Sequence, residues 1–99
     1  MGVDLNLSGP QDNRSMRLCT NQGFDLVAAW GMTVPADRYP AVAKFFRDYE
    51  FEPSSELAEQ LNDAANMMGP TDPITAETLS LLLDRIGLGY PDEHLSITF

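Results

Sequence analysis

The sequence predicts a small α+β fold, a single domain over residues 1–99: an N-terminal β-hairpin and a C-terminal strand packed against three or four helices. Three observations lead there. Apolar and polar residues alternate with a period of two near both ends of the chain. Between those ends, apolar residues recur at helical spacing. Proline, glycine and asparagine punctuate the segments where a change of element is needed.

In the first segment Val3, Leu5 and Leu7 alternate with Asp4 and Asn6, the pattern of a half-buried strand. Ser8 to Asn13 has the composition of a turn. Met16, Leu18 and Thr20 then alternate with Arg17 and Cys19, which predicts a second strand pairing back on the first. Asn21 is placed to cap a short helix carrying Phe24, Val27, Ala28 and Trp30, with Gly31 ending it. The next helical region lies between Thr33 and Phe51. Pro35 suits a first turn and Asp37 a cap, but Pro40 is awkward inside a helix, so the regular part is expected to start near it. Val42, Phe45, Phe46 and Tyr49 share one face.

Ser54 to Met68 is the clearest element. Glu56 sits in its first turn, where the helix dipole favours an acid, and Leu57, Leu61, Ala64, Ala65 and Met68 form its apolar stripe. Gly69-Pro70 stops it. The last helix is expected from Thr75, with Ile74 and Leu79 as a hydrophobic staple, a core face of Leu79, Leu82, Leu83 and Ile86, and Gly87 as its end. After a turn at Gly89-Tyr90-Pro91, Leu95, Ile97 and Phe99 alternate with Ser96 and Thr98 as a final strand joining the first two.

Charge is the most telling compositional feature. Residues 1–49 carry five acids and five bases. The remaining residues carry ten acids and one base, Arg85, so the net charge of −9 arises entirely in the second half. Such a field points to a basic protein surface or to cations, and away from nucleic acid and anionic membranes. Cys19 is the lone cysteine, which excludes an internal disulfide and suits a reducing cytoplasm. There is no basic segment leading an apolar run, as a secretory signal would require, and no apolar run long enough to span a bilayer.

The acids have a pattern. Glu56, Glu59 and Asp63 fall at i, i+3 and i+7, roughly opposite the leucine stripe, and Glu77 and Asp84 repeat the seven-residue spacing on the last helix. Two acidic ridges of this kind imitate the spaced charges of a nucleic-acid backbone. The plainer account is that every surface helix needs a polar face; against it, a merely solvated face normally mixes both signs. Leu81 lies about 200° from Leu79, between Glu77 and Asp84, either an apolar anchor with an acidic rim or a second buried side of the helix. Six of the nine aromatics fall between Trp30 and Phe51. Helical spacing makes most of them core, with Trp30 and Tyr39 the two expected to be partly exposed.

Other chemistries are thinly represented. Asp92 and His94 would share a side of an extended chain, but the chain has no second histidine to complete a metal site, and no metal or other cofactor is expected. A calcium loop ending at Glu77 would put Asn66, Met68 and Pro70 at its first three ligand positions, and two of those side chains cannot coordinate. Cys19 and His94, the only cysteine and histidine, could form a nucleophile–base pair on neighbouring strands, against the plainer account of a buried, inert Cys19. No phosphate-binding glycine loop or serine elbow is present.

In size, acidity and lack of motifs the chain resembles, in general type, the phage-encoded inhibitors of host defence, anti-CRISPR and anti-restriction proteins among them. That likeness implies a non-enzymatic inhibitor that blocks the basic surface of a nucleic-acid-binding protein. The expected partner-binding residues, from the ridges themselves, are Glu56, Glu59, Asp63, Glu77, Leu81 and Asp84. Two further expectations stand beside it: an assembly subunit, dimerising through Leu81 and a free strand edge near Phe99, and a small Cys–His or metal-dependent enzyme.

Overall fold

The computed structural model describes residues 2–9, 13–70, 72–87 and 92–99. Strands β1 (Gly2–Ser8) and β2 (Asn13–Thr20) open the chain. Helices α1 (Asn21–Met32) and α2 (Pro40–Asp48) follow, then a two-residue strand β3 (Glu50–Phe51). Helices α3 (Ser54–Met67) and α4 (Pro73–Gly87) lead to strand β4 (His94–Thr98). The four strands form one antiparallel sheet in the order β2-β1-β4-β3. The expected α+β class therefore holds, with strands at both ends of the chain. Of the turn expected over Ser8–Asn13, Ser8 and Asn13 belong to the strands and residues 10–12 lie outside the described residues, as does the turn expected at Gly89–Pro91.

The sheet is two-faced because its strands alternate. Val3, Leu5, Leu7 and Leu95 point into the core, where they meet Phe24, Val27, Val42, Phe45, Leu57, Leu61 and Leu82 from the helices. The opposite face is polar and hydrogen-bonded across the strands: Arg17 Nε donates to Asp4 at 2.6 Å, Ser15 donates to Asn6 at 2.7 Å, and the Asn6 amide reaches Ser96 and Thr98. No helix packs on that face among the described residues.

Several local expectations are corrected. The β1–β2 register jumps between Val3↔Cys19 and Asp4↔Arg17, leaving Leu18 as a bulge. Leu18 stays buried while Cys19 packs on the core beside it, so the period of two is broken before Thr20, which still pairs with Gly2. Thr20, not Asn21, is the N-cap of α1, its hydroxyl accepting from Gly23 N at 3.1 Å. The α1 helix runs past Gly31 to Met32. Gly31 is buried because the Phe46 ring occupies the space its side chain would need.

Asp37 caps nothing. The N-terminus of α2 is closed instead from α3, where Gln60 Oε1 accepts from Ala41 N at 2.8 Å. Tyr49 ends α2 in the left-handed region (φ 58°), turning the chain into the unexpected strand β3. The α4 helix begins at Pro73, ahead of the expected Thr75. Its first backbone N–H groups are capped by Asp72, which accepts from Ile74 N at 3.2 Å and Thr75 N at 3.1 Å. Ile74 is consequently a first-turn residue, 52% exposed, and is not the outer half of a buried staple.

The aromatic cluster is core, with one reversal. Tyr39 is buried, whereas Trp30 is half-buried, and among the described residues the large exposed ring is Phe99. Phe99 lies edge-on to Phe24 and Tyr49, with centroids 5.5 and 5.3 Å away. It borders no free edge. β4 lies between β1 and β3, and Ile97 N donates to Tyr49 O just beyond the β3 pairing. The edge strands of the sheet are β2 and the short β3.

Candidate functional site: the acidic face of the third helix

The α3 helix turns its leucines inward because Leu57, Leu61 and Ala64 recur at helical spacing, and this leaves Glu56, Glu59 and Asp63 on its solvent side. These three acids line one open groove of about 690 Å³, which they share with Gln60 and Asn62 of the same helix and with Arg38 and Tyr39 from the segment before α2. Three of the six predicted residues are thus brought together. Tyr39, Gln60, Asn62 and Arg38 were not anticipated.

Geometry divides the acids by role. Asp63 accepts a hydrogen bond from the Tyr39 hydroxyl at 2.8 Å, tying α3 to the segment ahead of α2. Burial pushes the Tyr39 phenol above its ordinary range, and the bond to Asp63 adds to the shift. Asp63 is therefore part of the scaffold as well as of the face. Glu56 and Glu59 are exposed, and among the described residues neither has an ion-pair partner. Arg38 is the cation of the groove, and its guanidinium carbon sits 5.6 Å from the Tyr39 ring centroid. The other basic residues of the first half are placed elsewhere: Arg14 against Glu93, Arg17 against Asp4, Arg47 against Asp48, and Lys44 over the Phe51 ring.

The predicted residues of the last helix stand apart. Glu77 and Asp84 are exposed on α4 and do not line the α3 groove. Leu81 is half-buried and packs against the core, because α4 meets both α1 and α3 and so is covered on two sides.

The Asp92-Glu93-His94 segment separates into three environments. Asp92 is exposed. Glu93 is fully buried, with Oε1 2.8 Å from Arg14 Nη2, so it is not the solvated charge its neighbours suggest. His94 lies on the polar side of the sheet, 3.4 Å from Glu52 and 3.8 Å from Glu50. No cluster suited to holding a metal occurs among the described residues. Cys19 and His94 do not meet: β1 separates their strands, and Cys19 pairs with Val3 whereas His94 pairs with Ser8, about 17 Å further along at ~3.3 Å per residue. Burial also raises the Cys19 thiol pKa, which disfavours the thiolate.

Comparison with protein-family models, with curated proteins and with solved structures returns no match. No helix is long and apolar enough to cross a membrane among the described residues.

Proposed function

We propose that the chain is a non-enzymatic binding protein whose α3 face engages a basic surface on a larger protein, in the manner of an inhibitor occupying a nucleic-acid-binding site. The observation that carries this reading is the pair Glu56 and Glu59: exposed, one turn apart, without cationic partners among the described residues, and beside an open groove. A row of carboxylates that outnumbers the one arginine of its groove, in a chain of net charge −9, raises the association rate with a basic partner and selects against acidic ones. Asp63 extends the same row, while Glu77 and Asp84 add to the field from α4. Half-buried Leu81 is better placed to hold α4 in the core than to anchor a partner.

The test is affinity capture from a lysate at about 50 mM salt followed by a wash at about 500 mM, where screening shortens the reach of exposed charges to a few ångströms. The wild-type chain is expected to retain a basic nucleic-acid-binding protein and release it in the wash, and the E56K/E59K variant to retain little of it. These two positions are preferred to Asp63, whose reversal would also break the bond to Tyr39. Equal capture by wild type and variant, or capture that ignores salt, would overturn the reading.

A further inference from the structure

A second surface lies away from the α3 groove, between the N-terminal turns of α1 and α4. Leu26 is 40% and Ile74 52% exposed, and the two line one shallow groove of about 380 Å³ together with Thr20, Gln22, Gly23 and Asp25. Isolated exposed leucines are common on protein surfaces, but two large aliphatic side chains from separate helices meeting in one depression are less so. Trp30, one turn on from Leu26 along α1, is half-buried, and its indole donates to Met68 O at 2.7 Å. Met67, beside that carbonyl, is 58% exposed.

Charge identifies the occupant. Asp25 lies within the groove, and beside Ile74 at the start of α4 stand Asp72, which accepts from Ile74 N, and exposed Glu77, one turn further on. All three are acids, and among the described residues the groove lining holds no base. A second copy of this chain would bring another net charge of −9 against that rim. A segment with aliphatic side chains flanked by lysine or arginine would fill the depression and satisfy the rim together.

We propose that the α1/α4 groove is a docking site for a basic, aliphatic segment of a partner protein, with Leu26 and Ile74 as the apolar contacts and Asp25 and Glu77 as the charged ones. The inference rests on the reading that the partner is basic, but on a different face of the molecule. It supplies the apolar contact that the α3 face lacks.

The probe is an amphipathic leucine–lysine peptide, titrated into the ¹⁵N-labelled chain and compared with a serine–lysine peptide of equal charge and a leucine–glutamate peptide. The leucine–lysine peptide is expected to shift the amides around Leu26 and Ile74, and L26S/I74S to weaken it by about tenfold, the loss typical of a buried contact. E56K/E59K should change that affinity by less than about twofold, since the surfaces are separate. Both substituted side chains are solvent-exposed, and an unchanged circular dichroism spectrum would confirm the fold; should I74S disturb α4, L26S alone carries the comparison.

Three outcomes would overturn the docking site: shifts confined to α3, equal binding of the serine–lysine or leucine–glutamate peptide, or a dimer by light scattering that L26S dissociates. Shifts confined to α3 that E56K/E59K abolishes would sink this inference and leave the α3 reading standing. Shifts at Leu26 and Ile74 with no salt-sensitive capture through α3 would do the reverse.

Discussion

Gly31 occupies a position inside a helix where propensity favours alanine by about 1 kcal/mol. Packing overrides that preference. A Cβ there would lie 2.3 Å from Cδ2 of Phe46, whose ring is buried and packs edge-on to Phe45 with centroids 5.1 Å apart. The ring has nowhere to go, and overpacking of this sort costs about 1–3 kcal/mol. Set against the propensity gain, G31A is therefore expected to lower the unfolding free energy by up to about 2 kcal/mol in urea titration. A stabilising result would mean that α1 and α2 slide apart at little cost. At the same scale Tyr39 and Asp63 show what single residues hide. Each is intelligible alone, as an aromatic and as a surface acid, yet their hydrogen bond spans twenty-four positions and no local pattern announces it. The available hint was chemical: a buried tyrosine hydroxyl needs a partner.

Elements built on long periods were legible in the sequence, and those built on short or interrupted ones were not. The alternation in β1 and most of the stripes of α2 and α3 match the buried residues, with Tyr49, Ala65 and Met68 only half-buried at the helix ends, because burial of one face is what imposes a period. β3 has two residues, too few to carry any period, and it exists because Tyr49 turns left-handed and delivers Glu50 and Phe51 beside β4. The end of β2 at Thr20 was legible, but the Leu18 bulge broke the alternation by putting two neighbours on the core side. Part of the candidate site was readable: the α3 acids follow from helical geometry, but the residues facing them come from a turn segment with no period. The α4 cap was missed because Asp72 precedes a proline that reads as loop, although proline is at home in a first helical turn. Hydrogen bonds from the Thr75 side chain first, and from the Thr75 and Ile74 backbone, hold the Asp72 carboxyl below its ordinary range. A lowered folded-state pKa contributes stability that is present above the unfolded carboxylate value, near pH 4, and is lost as pH falls through the folded value. D72N keeps a capping oxygen but no titrating charge, so its melting temperature should vary less with pH than that of wild type below about pH 4. Parallel melting curves for the two proteins across that range would disprove the assignment.

At the scale of the whole molecule, self-repulsion is the dominant electrostatic fact, because ten of the acids belong to residues 50–99. Glu56, Glu59, Glu77 and Asp84 all face solvent, where salt screens them well. Raising sodium chloride from about 20 to about 500 mM should therefore raise the melting temperature, as the repulsion among exposed acids is shortened to a few ångströms. A flat or falling profile would mean that pairs such as Arg17–Asp4 and Arg14–Glu93 outweigh it. The strand order carries a different consequence, for how the chain is made. The middle of the sheet joins Asp4–Ser8 to His94–Thr98, segments about ninety residues apart, and the hairpin of β1 and β2 is left with one flank open until the last strand arrives. During synthesis the helices emerge before the strand that completes their platform, so their leucine faces have only the β1 side of the sheet to pack on until residues 94–98 have left the ribosome. Long-range closure of this sort slows folding, and in the cell it would set a premium on early shielding of those faces.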